Sequence, residues 1–80
     1  MDSKYKKLAK TLEDEYDVII IDIFQSGYRP DFVSIIVNFK KSMVYIPDYK
    51  IGNVLSIDFG NNMAFFDMPI SSDYINLITA

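Results

Sequence analysis

The chain contains no cysteine, no histidine and no tryptophan, and only three glycines and three prolines. The missing cysteines exclude disulfides. Without histidine as well, the usual ligand sets for zinc, copper, iron–sulfur clusters and haem are lost. Nucleophilic triads of the Ser-His or Cys-His kind cannot be assembled. With so few glycines there is no Gly-rich phosphate loop, neither GxGxxG nor GxxxxGK[ST], and no EF-hand loop occurs. No apolar run approaches the ~20 residues that a membrane-spanning helix needs. The Lys-rich start, MDSKYKKLAK, is not followed by the apolar core of a signal peptide. A cytoplasmic location, no cofactor, no metal and no membrane partner are the corresponding expectations.

What is present is a small apolar domain. The 80 residues are 50% hydrophobic, which argues against disorder and sets the expectation of a single domain over residues 1–80. A chain of this size buries about 60–65% of the surface its unfolded form exposes, so association with a partner or with itself is a natural source of added stability. The net charge of −3 lacks the basic footprint of a nucleic-acid binder. Lys4, Lys6, Lys7 and Lys10, with tyrosines to stack on bases, form the nucleic-acid alternative, but the neighbouring acidic residues oppose it.

The chain is organised around Asp17–Phe24, DVIIIDIF, whose branched aliphatic residues suit a central strand. Before it, Tyr5, Leu8, Ala9 and Leu12 recur at the spacing of one helical face. A helix is predicted over Ser3–Asp14, capped by Asp2 or Ser3. Its charges oppose the macrodipole, with lysines early and Glu13, Asp14 and Glu15 at the end. Packing, rather than electrostatics, must therefore hold it.

After the first strand, Gln25–Asp31 is predicted to be a loop, with Gly27 and Pro30 as its punctuation. Further strands are expected at Phe32–Phe39, Met43–Ile46, Val54–Phe59 and Met63–Met68. The Lys40–Lys41 pair reads as a turn, Pro47–Asn53 as a loop and Gly60–Asn62 as a hairpin turn. Past Pro69, a short helix capped by Ser71 competes with a strand. The expected fold class is α+β: an N-terminal helix packed on a mainly antiparallel four- or five-stranded sheet, ending in a short C-terminal helix or strand.

Alternation along strands divides the side chains between two faces. One face is predicted to carry Ile19, Ile21, Ile23, Val33, Ile35, Val37, Phe39, Leu55, Ile57 and Phe59, under the helix. The other is predicted to carry Val18, Ile20, Asp22, Phe24, Phe32, Ser34, Ile36, Asn38, Met43, Tyr45, Val54, Ser56, Asp58, Ala64 and Phe66. This second face mixes aromatic residues with hydroxyls and carboxylates, as interfaces do. A single helix about 10 Å across cannot cover both sides of such a sheet.

The chemistry still available is that of carboxylates. Asp22 and Asp58 share a face, and Asp67 lies near a strand end; if the strands of Asp22 and Asp58 were neighbours, those two would bind Mg²⁺ or split their pKa values. Any acidic β-domain offers such pairs, so no catalytic residue is assigned and no enzyme is expected. The leading expectation is a non-catalytic protein-binding module, such as an inhibitor. In size, acidity and tyrosine content the chain resembles small inhibitor proteins of phages and mobile elements. Phe24, Tyr28, Arg29, Phe32, Tyr45, Tyr49 and Phe66 would be its anchors. Glu13, Asp14, Glu15 and Asp17 would steer a partner with a basic surface. The alternative is a self-associating domain that forms a homodimer through its sheet face.

Overall fold

In a computed structural model, residues 2–27, 29, 31–40, 53–70 and 77–78 are described. Asp2 opens the chain's helical segment by accepting the backbone N–H of Lys4 at 3.2 Å. A single 3-10 turn, Ser3–Tyr5, leads into α1, Lys6–Glu15. Tyr5, Leu8, Ala9 and Leu12 form its buried stripe, with Leu8 and Leu12 wholly inaccessible. There is no acidic residue in the first turn of α1 and no basic residue in its last, so its charges do run against the dipole. Burial of the stripe is what fixes it.

Four strands follow among the described residues: β1, Val18–Gln25; β2, Phe32–Phe39; β3, Asn53–Asp58; and β4, Met63–Pro69. They form one antiparallel sheet in the order β1-β2-β4-β3. The fold is therefore α+β, a helix on an antiparallel four-stranded sheet. The expected strand at Met43–Ile46, the expected loop at Pro47–Asn53 save its last residue, and the final segment over residues 71–76 lie outside the described residues; Asn53 opens β3 instead of closing that loop. Leu77 and Ile78 are partly buried and pack against the same core as the helix.

Three of the strands supply the sheet's part of the core. Val18, Ile20 and Ile23 come from β1, Val33, Ile35, Val37 and Phe39 from β2, and Ala64, Phe66 and Met68 from β4. Register places Val37 between Ile20 and Ala64, and Ile35 between Ile23 and Phe66. Phe39 and Phe66 meet edge to face, with ring centroids 6.4 Å apart. β3 lies beyond the reach of the helix, and every residue from Asn53 to Asp58 is exposed.

Three expectations about the faces are corrected here. In β1 the register shifts between Ile20 and Asp22. An extra residue at this bulge reverses the alternation, so Val18 and Ile20 enter the core while Ile19 and Ile21 stay exposed. In β4, Ala64 and Phe66 belong to the core instead of the reverse face, because pairing with β2 sets them beside Val37 and Ile35. In β3, Leu55, Ile57 and Phe59 are exposed rather than covered. A second register shift, between Val54 and Ser56, breaks the alternation there as well.

The β3–β4 turn is tied down by side chains. Asp58 accepts the Asn61 backbone N–H at 3.2 Å and its amide at 2.7 Å. Asn62 takes the left-handed conformation, φ 56°, that Asn tolerates better than most residues. Its side-chain amide donates to the Phe39 carbonyl, and its own carbonyl accepts from the Phe39 N–H at 2.9 Å.

Candidate functional site

The side of the sheet away from α1 is where the exposed apolar residues of β1 and β4 collect. Ile19, Ile21, Phe24 and Phe65 are each 41–47% exposed there, and Leu55 of β3 reaches 58%. Asp22 and Ile36 lie side by side across β1 and β2, and Ile36 adjoins Phe65 on β4. Polar residues interrupt the surface at Ser34, Asn38 and Ser56.

At one end of this face lies an open groove of about 550 Å³. Its floor is a row of three residues in register across the sheet: Ser34 on β2, Asp67 on β4 and Asn53 on β3. Phe24 and Leu55 form apolar walls on the outer strands, and the loop after β1 supplies the rim with Ser26, Gly27 and Arg29. That loop is closed by hydrogen bonds from Ser26 N–H to the Phe32 carbonyl, 3.1 Å, and from Phe32 N–H to the Arg29 carbonyl, 3.0 Å. The Ser26 hydroxyl accepts from the Arg29 N–H at 3.3 Å.

Asp67 is the unusual group in this groove. It is only 7% exposed, and its Oδ1 has no hydrogen-bond partner among the described residues. Its Oδ2 stands 3.9 Å from Arg29 Nη1, beyond hydrogen-bond distance. Arg29 is held elsewhere: its guanidinium lies over the Phe32 ring, 4.6 Å from the centroid, and its side chain is 57% exposed. Leaving a buried acceptor unmatched costs about 1–3 kcal/mol, and more for a charged one. A buried carboxylate oxygen without a bond calls for a water, an ion, a ligand or a functional role.

Among the residues predicted to contact a partner, Phe24, Arg29 and Phe32 are brought together at this end of the sheet. Tyr28, Tyr45 and Tyr49 lie outside the described residues. Phe66 is corrected: it is fully buried within the chain and cannot be a surface anchor. Glu13, Asp14 and Glu15 are exposed at the end of α1, and Asp17 is half-buried beside them. Glu13 already has a structural task, since its Oε2 accepts the backbone N–H of Ile20 at 3.0 Å. The Asp17 carbonyl likewise accepts from the Lys40 N–H at 3.1 Å.

Residue reasoning missed the groove's floor. The residue pattern places Ser34 on the mixed face and Asp67 among the carboxylates, but nothing in it joins them to each other or to Asn53, which it expects in a loop. Asp67 gains meaning once Phe66 and Met68 on either side of it are known to point inward, because alternation then turns Asp67 to the opposite face. The suggested Asp22–Asp58 pair does not form. β1 and β3 are the outer strands among the described residues, three strand spacings or about 14 Å apart. Asp22 Oδ1 instead accepts the Ile23 N–H at 2.9 Å. No group of three or more acidic side chains suited to a metal ion occurs among the described residues.

Asp58 is held below the usual carboxylate range, chiefly by the Asn61 side-chain amide and next by the Asn61 backbone N–H. Tyr16 is raised above the ordinary phenol value, first by burial and then by the charge of Glu15. Both groups lie outside the groove lining.

No helix among the described residues is long and apolar enough to cross a membrane. Comparison with known proteins finds no family model that matches the chain, no similar curated protein and no similar solved structure.

Proposed function

We propose that this chain is a non-catalytic protein-binding module of the cytoplasm, an inhibitor being one form such a module takes, and that it engages its partner through the face of the sheet opposite α1. The observation that carries this reading is the set of large apolar side chains held out on that face: Ile19, Ile21, Phe24, Leu55 and Phe65. Single apolar residues are ordinary on a surface, but several large ones held out on one face of a sheet support an interaction site. Rim residues supply the polar component that interfaces combine with an apolar centre. The acidic end of α1, with Asp14 and Glu15 exposed, favours approach by a basic surface.

The test is co-purification of the tagged chain from its native host, with Phe65→Asp and Ile21→Asp compared with wild type. Both side chains are partly exposed, so both variants are expected to stay folded with a lowered melting temperature and to lose the captured protein. Capture that survives both substitutions would refute the assignment of the face. Light scattering on the purified chain separates the second occupant: a dimer at micromolar concentration that the same substitutions dissolve would give the face to another copy of this chain.

A further inference from the structure

We infer that the Asp67 groove is a receptor for one positively charged side chain, a lysine or arginine of the partner protein, whose alkyl stem lies in the groove that Phe24 and Leu55 wall. This rests on the protein-binding reading above and names the chemistry at its centre. Three observations carry it.

The first is that the groove ends on a carboxylate. Asp67 is 7% exposed, and its Oδ1 is unpartnered among the described residues. A buried carboxylate gains most from a charge-assisted hydrogen bond, which only a cationic or N–H/O–H donor can supply.

The second is that the walls are apolar and spaced across the sheet. Phe24 on β1 and Leu55 on β3 are 41% and 58% exposed. Lysine and arginine carry three- or four-carbon stems that cover apolar surface while the charged head reaches a polar site. The pairing of greasy walls with an anionic floor fits that side chain better than a small inorganic cation, which needs several oxygen ligands.

The third is that the cation already nearby does not fill the site. Arg29 approaches Oδ2 at 3.9 Å while stacked on Phe32. An incoming cation would take Oδ1, and Arg29 would be its competitor for the same carboxylate. Charge complementarity therefore selects a basic residue as the occupant.

The experiment is an NMR titration of the 80-residue chain with the Nα-acetyl N-methylamides of lysine and norleucine, the second being the uncharged analogue of the first. Expected are saturable amide shifts at Ser26, Gly27, Ser34, Asn53 and Asp67 with the lysine probe and none with norleucine. Asp67→Asn is expected to abolish them. Arg29→Gln is expected to tighten lysine binding by about twofold to fivefold, the scale on which a half-exposed competing charge acts. If Asp67→Asn does not fold, Arg29→Gln alone decides. Absence of lysine-specific shifts, equal shifts with norleucine, or an unchanged or weaker affinity in Arg29→Gln would overturn the inference. Because the probe is a small molecule, that failure would leave the co-purification result standing. Conversely, capture insensitive to Phe65→Asp would remove the face while leaving a positive titration intact.

Discussion

Glu13, near the end of the helix, accepts the backbone N–H of Ile20 at 3.0 Å, on β1, which is an edge strand among the described residues. An edge strand presents unpaired N–H groups that invite another strand to join it. Here a carboxylate takes one of those donors, and Asp22 takes the next, from Ile23, at 2.9 Å. The acidic residues at this corner thus guard an edge.

Removal of that guard has two expected effects. Glu13→Ala should lower stability by about 1.5–3 kcal/mol, the range for a hydrogen bond to a charged group. It should also increase self-association at high concentration through the freed edge. Urea denaturation and concentration-dependent light scattering check the two separately. Glu13→Gln, which keeps an acceptor oxygen, should recover most of the stability.

The two adjacent phenylalanines of β4 should respond differently to the same truncation. Phe66→Ala empties a fully buried site and should cost about 3–5 kcal/mol. An 80-residue domain has roughly 4–12 kcal/mol in total, from about 0.05–0.15 kcal/mol per residue, so this variant should lose a large share of its stability. Phe65→Ala, at a residue 41% exposed, should cost about 1 kcal/mol or less. Thermal denaturation of the pair checks the assignment of faces.

Acid should act through Asp58. Its carboxyl is lowered on folding by the bonds from Asn61. A carboxyl so lowered contributes stability above its unfolded pKa and loses it as pH falls through the folded value. Below about pH 4, where an ordinary aspartate begins to protonate, the wild type should therefore lose stability faster than Asp58→Asn. Melting temperatures recorded from neutral pH downward provide the comparison. Tyr16 has the opposite sign: with its pKa raised, its contribution is present below the ordinary phenol value and lost as pH rises through the folded one. Tyr16→Phe should flatten that alkaline decline.

The β3–β4 turn should rank substitutions at Asn62 by backbone as well as by contact. Asn62→Gly keeps access to φ 56° and loses the bond to the Phe39 carbonyl; Asn62→Ala loses both. Stability should fall from wild type to Gly to Ala, with the left-handed conformation adding about 1–2 kcal/mol to the Ala variant. Equal stability of the two variants would show that the turn relaxes.

Legibility in the sequence followed how regular each element is. β2 alternates without interruption from Phe32 to Phe39, and both its bounds and its two faces match expectation. Helix α1 was legible for the same reason, its stripe repeating at one spacing. β1 was not, because Ile19, Ile20 and Ile21 are chemically identical and hide the bulge that chooses among them. Phe65 and Phe66 pose the same ambiguity, which only pairing with β2 resolves. Strand order was also invisible, and it is strand order that separates Asp22 from Asp58 and draws Ser34, Asp67 and Asn53 into one row.

The extra residue at Ile21 has a consequence for how this chain can change. Swapping Ile21 for another amino acid alters only a side chain that solvent already reaches. Deleting it would shorten the strand by one and force a choice: either Val18 and Ile20 rotate outward, or Ile23 does. Tolerance of new letters but not of a missing one is thus built in here, and a deletion scan through Val18–Ile23 should show far harsher losses than a substitution scan at Ile21.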